Sequence, residues 1–221
     1  MNVPPDARQR ILAANEAAAG ALRERFRRDG TLVLNLISSP GSGKTSLLEA
    51  TVGRLAADLR VAVVEGDIAT ERDAERIARL GVPAHQILTG GACHLDARQV
   101  EAALARTAWG ALDVLFVENV GNLICPTSYD LGEDFKVVLL SVTEGEDKPF
   151  KYPAIFARAD VTVITKCDLL PHVTFDLPEV LGQVRTLRPG GRILRTSIRS
   201  GEGMDEWCAL VRERLAAKRA G

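Results

Sequence analysis

Apolar residues occur along this chain in short uninterrupted runs, separated by longer stretches in which apolar and charged residues mix. The runs contain mostly Val, Ile and Leu without alternating polar positions, which is typical of strands that are covered on both faces of a sheet. The predicted strands are 31–37, 60–66, 112–119, 135–142, 160–166 and 192–198.

The stretches between these runs have the composition of helices. Strand and helix therefore alternate, which predicts an α/β fold with a mostly parallel, doubly wound sheet and helices on both faces. The predicted helices are 46–59, 72–81, 97–110, 177–187 and 203–220.

Residues 1–30 are predicted to form an N-terminal helix ahead of this alternation. Between residues 6 and 28 apolar side chains recur near helical spacing, and Gly30 marks the end of the helix. No linker divides residues 31–221, so we expect one domain behind that helix and a single domain in the whole chain. The apolar positions of the helix are Ile11, Ala18, Leu22 and Phe26.

Composition excludes several classes of function. Lys and Arg total 28 against 29 Asp and Glu, so no basic surplus predicts a nucleic acid or an anionic membrane as partner. No apolar run is long enough to span a bilayer, and the first residues lack the apolar stretch of a signal peptide. The cysteines are too few and scattered for a secreted disulfide framework, so we expect a reduced, cytoplasmic protein. They are Cys93, Cys125, Cys167 and Cys208.

A phosphate-binding loop follows the first predicted strand. The stretch "SSPGSGKTS", residues 38–46, matches the pattern G-x-x-x-x-G-K-[ST], except that Ser38 replaces the first glycine. Its backbone N–H groups and the following helix N-terminus suit phosphate, Lys44 suits the β- and γ-phosphates, and the Thr45 hydroxyl suits Mg²⁺. The chain is therefore predicted to be a P-loop NTPase. The nucleotide-binding residues expected in this loop are Gly41, Ser42, Gly43, Lys44, Thr45 and Ser46.

Acidic residues end two further predicted strands. Asp67 follows the second strand and Glu118 the third, where a carboxylate beside a P-loop is a natural partner for Mg²⁺ or its waters. Gly121 could let a backbone N–H approach the γ-phosphate. Each could instead be an ordinary surface acid or turn glycine. We expect Asp67 and Glu118 to act with Lys44 and Thr45 as the catalytic group.

The stretch "TKCD", residues 165–168, resembles the guanine-reading motif NKxD of GTPases. The Asp168 carboxylate can accept from guanine N1–H and the exocyclic amine, whereas adenine presents an acceptor at N1. Lys166 would cover the base plane, but Thr165 replaces the usual Asn and cannot make both contacts of an amide. Ser197 lies nearest the position of the last base-contacting loop. These four residues complete the predicted nucleotide site.

Two of the soft-metal ligands in the chain are neighbours, Cys93 and His94 in "GACHLDA". An isolated pair of this kind usually packs and binds nothing, but Cys125 lies four residues beyond Gly121, on a segment whose position would depend on the bound nucleotide. Two thiolates and an imidazole suit Zn²⁺ or Ni²⁺. Three ligands leave the site open, and a two-fold dimer would bring six ligands together.

The stretches "SSPGSGKT", "EGDIATERDAERI", "GACHLDA", "ENVGNLICP" and "EGEDKPFKYP", in this order, resemble the hydrogenase nickel-incorporation GTPases (the HypB family). The resemblance covers about residues 8–217. It implies a homodimer whose closure is promoted by GTP, with an interfacial metal site matched by Cys93, His94 and Cys125. It also implies delivery of nickel to the hydrogenase large subunit, together with a small zinc-containing maturation partner.

The sequence therefore predicts a GTP-hydrolysing nickel metallochaperone, in which slow conversion of GTP to GDP and phosphate resets a dimer. Three alternatives remain: a urease-type nickel accessory GTPase, a P-loop kinase of a small molecule, and a zinc-stabilised dimerisation module. Lys148 either contacts the partner subunit or a phosphate, or lies in a solvated loop.

Overall fold

The structure, a computed structural model, describes residues 5–67, 76–107 and 109–221. Its strands are β1 (Leu32–Ser38), β2 (Val61–Asp67), β3 (Ala84–Leu88), β4 (Val114–Glu118), β5 (Phe135–Ser141), β6 (Val161–Thr165) and β7 (Arg192–Arg195). Its α-helices are α1 (Pro5–Asp29), α2 (Lys44–Leu55), α3 (Ala97–Arg106), α4 (Lys148–Lys151), α5 (Pro153–Arg158), α6 (Leu177–Leu187) and α7 (Met204–Ala220). Two 3₁₀ helices span Cys125–Ser128 and Cys167–His172.

The described strands form one parallel sheet in the order β3-β2-β4-β1-β5-β6-β7. The first strand lies between β4 and β5, so the chain winds to one side of β1 and later to the other. Ligands of such sheets bind at the carboxyl ends of the strands where the winding direction changes. The predicted α/β fold with a doubly wound sheet is confirmed, and it places the loop after β1 at this point.

Helices cover both faces of the sheet because the side chains of each strand alternate between the faces. Leu32, Leu34 and Leu36 of β1 pack in a core with α2 and α7. On the opposite face, Val33 packs with α1 and α3, and Ile37 with α5 and α6. The central strand is therefore apolar except at the buried Asn35 and, at its carboxyl end, the buried Ser38.

The N-terminal helix packs on the sheet and ends at Asp29, followed by Gly30 with a φ of 64°. Leu22 and Phe26 are buried as the sequence predicts, but Ile11 is 44% exposed, so the predicted apolar stripe is wrong at that residue. No helix in the described part of the chain is both long and apolar enough to cross a membrane.

Several predicted elements have different bounds in the structure. The edge strand β3 (Ala84–Leu88) was not predicted, because its side chains are only partly buried and include His85 and Gln86. The last strand ends at Arg195, and the predicted helix 97–110 ends at Arg106. Of the predicted helix 72–81, residues 72–75 lie outside the described residues, and 76–78 are helical.

Candidate functional site

The phosphate-binding loop leaves the carboxyl end of β1 and enters α2. Gly41 and Gly43 have φ values of 79° and 95°, which side chains with a Cβ rarely adopt, so glycine is needed at both positions. Ser38 is fully buried, and its hydroxyl accepts a hydrogen bond from Lys44 Nζ at 2.9 Å. The serine that replaces glycine in the pattern thus fits the loop and holds the lysine.

Glu118 reaches the same loop from the end of β4. Thr45 Oγ1 donates to Glu118 Oε1 at 3.0 Å, and Lys44 Nζ lies 4.0 Å from that oxygen. A hydroxyl next to a buried carboxylate is a donor set that suits Mg²⁺. Asp67 ends β2, but its side chain lies outside what the structure describes.

The residues of the base-reading motif lie beside the phosphate-binding loop. The Thr165 hydroxyl donates to the Ser42 carbonyl at 2.7 Å, and Lys166 Nζ donates to the Gly41 carbonyl at 2.7 Å. Asp168 Oδ1 accepts from the Ser197 hydroxyl at 2.6 Å. Thr165 therefore supports the loop backbone, and Ser197 orients the carboxylate expected to read guanine.

A cleft of about 560 Å³ lies at the phosphate-binding loop, and of the four predicted base-reading residues only Lys166 lines it. Its lining includes the loop from Pro40 to Ser46, except Ser42, and the segment from Glu118 to Gly121. Arg76, which bonds Glu49 at 2.6 Å, also lines the cleft and was not predicted from the sequence. A Cβ on Gly121 would lie 3.0 Å from Pro40 Cγ, so this glycine lets the two segments pack closely.

Lys148 also reaches the phosphate-binding loop. It begins α4 and its Nζ donates to Ser39 Oγ at 3.3 Å. The same nitrogen lies 5.6 Å from the centre of the Tyr152 ring. In this structure the Lys148 side chain is therefore held against the phosphate-binding loop, and its role stays a prediction.

The three predicted soft-metal ligands come together beside this cleft. The ligand atoms of Cys93, His94 and Cys125 all lie within 4.8 Å of one another, and Cys93 Sγ is 3.6 Å from His94 Nδ1. Within the described residues, no other three Cys, His, Asp or Glu side chains group in this way. Cys167 and Cys208 are buried elsewhere, as expected of structural cysteines.

The protonation of this group depends on its packing. The hydrogen bond with the Cys125 thiol, and then burial, raise the pKa of the Cys93 thiol. Burial lowers the pKa of His94 although Asp96 opposes this shift. The imidazole is thus available as a neutral ligand, and Tyr129 stacks on it with the ring centres 3.8 Å apart.

Side chains that the sequence did not single out hold the metal-ligand segments. Asn122 Nδ2 donates to the Cys93 carbonyl at 3.2 Å, and its Oδ1 accepts from Ile124 N at 2.8 Å. Asn119 Oδ1 accepts from Leu95 N at 3.1 Å. Both asparagines belong to the loop after β4, which also lines the nucleotide cleft. These contacts lie outside the motifs on which the sequence predictions rest.

The fold and the phosphate-binding loop define a P-loop nucleotide-binding protein. The family profile "CobW/HypB/UreG, nucleotide-binding domain" matches residues 32–195. The hydrogenase maturation factor HypB of Azotobacter vinelandii is 52% identical over 203 residues, which cover 92% of this chain and 67% of that protein.

Two solved structures share the fold along nearly their whole length. HypB from Helicobacter pylori in complex with nickel has a TM-score of 0.87 and 40% identity, covering 92% of this chain and 96% of that one. Hydrogenase maturation factor HypB from Archaeoglobus fulgidus has a TM-score of 0.87 and 38% identity, covering 92% and 99%. The chain belongs to the HypB family of hydrogenase maturation factors.

Proposed function

We propose that this chain is a GTP-hydrolysing nickel metallochaperone in the maturation of [NiFe]-hydrogenase. The observation that carries this proposal is the group of Cys93, His94 and Cys125 at the end of the loop that also lines the nucleotide cleft. One loop that serves both sites can make metal handling depend on the nucleotide. The nickel complex of the Helicobacter pylori relative supports nickel as the cargo.

The nucleotide chemistry follows from the phosphate-binding loop. Water attacks the γ-phosphorus of GTP, the bond to the β–γ bridging oxygen breaks, and GDP and phosphate leave. The loop amides and Lys44 bind the phosphates and stabilise the charge on the leaving oxygen. Thr45 and Glu118, with Asp67, would hold Mg²⁺, which supplies further charge neutralisation when it is bound. We expect slow turnover, used as a switch.

Guanine selection is assigned to the loops after β6 and β7. Asp168 accepts from the guanine edge, Ser197 fixes the carboxylate, and Lys166 covers the base. Adenine would leave the Asp168 carboxylate facing an acceptor, which is unfavourable in a desolvated site.

The metal site is proposed to be completed by a second copy of the chain. Three ligands are one fewer than a tetrahedral Zn²⁺ site needs, and a two-fold axis would add the same three from the partner. Ile124, next to Cys125, is 65% exposed, and an interface at this position would bury it. We therefore infer a homodimer, promoted by GTP, that holds Ni²⁺ or Zn²⁺ between its subunits.

The remaining proposed partners are inferred from the family to which the chain belongs. The name of the Azotobacter vinelandii relative, a hydrogenase maturation factor, supports the hydrogenase large subunit as the recipient of nickel. A small zinc-containing maturation partner and a cytoplasmic location complete the proposal. The near-balanced charge, with no basic surplus, argues against a nucleic acid as a partner.

The nucleotide assignment is tested by competition of GTP and ATP for a fluorescent GTP analogue. Lys44→Ala is expected to lose nucleotide binding, because the loop loses its cation, whereas Lys151→Ala on the exposed surface should retain it. Asp168→Asn is expected to bind GTP and ATP with similar affinity. Equal competition by ATP and GTP in the wild type would reject a GTPase and favour the small-molecule kinase.

The metal assignment is tested by titration with Ni²⁺ and with Zn²⁺. Cys93→Ser and Cys125→Ser should each weaken binding strongly, whereas Cys208→Ser, which changes a buried cysteine outside the group, should not. Unaltered binding in both ligand variants would overturn the ligand set. A dimer that forms with Zn²⁺ regardless of the nucleotide would favour the zinc-stabilised module.

A further inference from the structure

Three asparagine side chains hold the backbone of the segment that carries Cys93 and His94. They come from α1 and from the loop after β4, and they bond alternate residues of positions 93–97. Asn122 Nδ2 donates to the Cys93 carbonyl at 3.2 Å, Asn119 Oδ1 accepts from Leu95 N at 3.1 Å, and Asn15 Oδ1 accepts from Ala97 N at 2.8 Å.

Two adjacent residues can bind the same ion only where the backbone between them is bent, and the three asparagines hold it there. In an extended chain, successive side chains point in opposite directions, yet Cys93 Sγ lies 3.6 Å from His94 Nδ1. The backbone must therefore be bent and kept bent when the ion binds. A loop that ordered only on binding would lose conformational entropy at each residue and bind more weakly.

The far side of each asparagine is tied to another part of the site. Asn122 Oδ1 accepts from Ile124 N at 2.8 Å, beside the third ligand, Cys125. Asn15 Nδ2 donates to the Asp130 carbonyl at 2.9 Å, beside Tyr129, which stacks on His94. Asn122 thus links the two cysteine segments, and Asn15 links the start of α3 to the segment that orients the imidazole.

Asn119 extends the bracing toward the nucleotide. Its Nδ2 donates to Asn35 Oδ1 at 3.2 Å, and Asn35 lies on β1, the strand that leads into the phosphate-binding loop. Its backbone N donates to the Leu36 carbonyl at 2.9 Å. Asn119 and Asn15 are 1% and 2% exposed, so loss of their partners would leave buried polar groups unsatisfied.

We propose that Asn15, Asn119 and Asn122 are positioning residues of the metal site. They fix the backbone of residues 93–97 so that the adjacent Cys93 and His94 side chains converge with Cys125 on one ion. This inference rests on the proposed metal role of those three ligands. It adds α1, through Asn15, to the elements on which metal affinity depends.

The test is a Ni²⁺ titration of the full chain, in competition with a chromophoric chelator and with the nickel–thiolate charge-transfer absorption recorded. Asn122→Ala and Asn15→Ala are expected to bind Ni²⁺ about 10–100-fold more weakly, the range typical for loss of residues that orient metal ligands, and to shift the absorption band. The matched control is Thr127→Val, which removes the bond from Thr127 Oγ1 to the Leu123 carbonyl in the Cys125 segment but no contact to Cys93. It should retain wild-type affinity and the wild-type band.

The outcomes separate the two proposals. If the wild type shows the nickel–thiolate band, and Asn122→Ala has the same Ni²⁺ affinity and the same spectrum, the positioning role is overturned while the metal site stands. A wild-type chain without a nickel–thiolate band would overturn the metal role and this inference with it. Guanine-nucleotide affinity is measured in parallel, and because Asn122 is partly exposed, its variant remains informative if Asn15→Ala does not fold.

Discussion

Ser38 and Thr165 are two residues at which this chain departs from the sequence patterns of nucleotide-binding proteins. Each has a defined partner in the structure. The Ser38 hydroxyl accepts from Lys44 Nζ, and the Thr165 hydroxyl donates to the Ser42 carbonyl. The short hydroxyl of Thr165 thus supports the phosphate-binding loop, and we propose that Asp168 recognises the base.

Loss of the Thr165 hydroxyl should therefore weaken binding of any nucleotide without changing its selectivity. Thr165→Val is isosteric and removes one hydrogen bond to the loop backbone, worth about 0.5–1.5 kcal/mol, or about 2–13-fold in a dissociation constant. GDP and ADP titrations measure this effect. Thr186→Val, which removes a bond to the Gly182 carbonyl in α6, is the control and should bind GDP normally. A change in the ratio of GDP to ADP affinity would contradict the assigned role.

The phosphate-binding loop could be predicted from a local pattern that includes G-K-T, and the metal group from the adjacent Cys93 and His94 taken together with Cys125 and the family resemblance. The bracing asparagines could not. Asn15 and Ala97 are separated by 82 residues, and Asn122 and Cys93 by 29. Such hydrogen bonds depend on how the elements pack, and an asparagine has the same sequence signature in a turn as at a site.

At the level of elements, the loop from residue 119 to 125 connects the nucleotide cleft with the group of Cys93, His94 and Cys125. It begins at the end of β4 beside Glu118, packs Gly121 against Pro40, and ends at Cys125. The segment carrying Cys93 and His94 is anchored to the sheet next to it. Leu95 is fully buried and packs on Gly66 of β2, a strand whose end lines the nucleotide cleft.

The contact between β2 and Leu95 predicts a coupled pair. A Cβ on Gly66 would lie 2.7 Å from Leu95 Cγ, so Gly66→Ala should displace Leu95, destabilise the fold by about 1–3 kcal/mol and weaken Ni²⁺ binding. In Gly66→Ala/Leu95→Ala the new methyl group occupies freed space, so the combined loss should be smaller than the sum of the single losses. Urea unfolding measures all three variants.

Gly53→Ala in α2 is the matched control for this pair. A Cβ at Gly53 meets nothing within 4 Å, so the substitution should stabilise the helix by about 0.5–1 kcal/mol. Additive losses at positions 66 and 95 would show that the contact does not couple β2 to the metal-ligand segment.

The success of prediction also differed among elements. The central strands β1, β4, β5 and β6 were predicted because burial on both faces demands continuous apolar runs. The edge strand β3 has one neighbour and partly buried side chains, so its sequence lacks that signal. Helices α4 and α5 are too short to show a helical period, since they contain four and six residues.

At the scale of the whole molecule, Asp113 joins parts that are distant in sequence. It precedes β4 and is 6% exposed. Arg60, just before β2, donates to it from both its side chain and its backbone N, and Arg219 near the end of α7 donates as well. Hydrogen bonds from Arg60 hold the pKa of Asp113 far below its usual range.

This lowered pKa predicts a stability that depends on pH. Because the folded state favours the ionised Asp113, the stabilisation is present above the unfolded pKa of about 3.9 and is lost as the pH falls through the folded pKa. Asp113→Asn should cost about 1.5–3 kcal/mol at pH 7, and the difference from wild type should shrink below about pH 4. Urea unfolding at pH 7, 4 and 3 measures it.

Asp58→Asn is the control, because Asp58 pairs with Arg212 on the surface and should contribute little at any of these pH values. A difference between wild type and Asp113→Asn that stays constant from pH 7 to pH 3 would contradict the role of the Asp113 charge.

In the whole molecule, we propose that the nucleotide site and the metal site form one switch. A loop that lines the nucleotide cleft and carries Cys125 must respond to the γ-phosphate if the two sites are coupled, and linkage then requires the metal to change nucleotide binding by the same factor. The direct measurement is the Ni²⁺ affinity of the chain loaded with GDP and with a non-hydrolysable GTP analogue, in the wild type and in Cys125→Ala. We expect the two wild-type affinities to differ by about 5–150-fold and the difference to vanish in Cys125→Ala. Equal Ni²⁺ affinities of the wild type in the two nucleotide states would contradict the switch and leave two independent sites on one sheet.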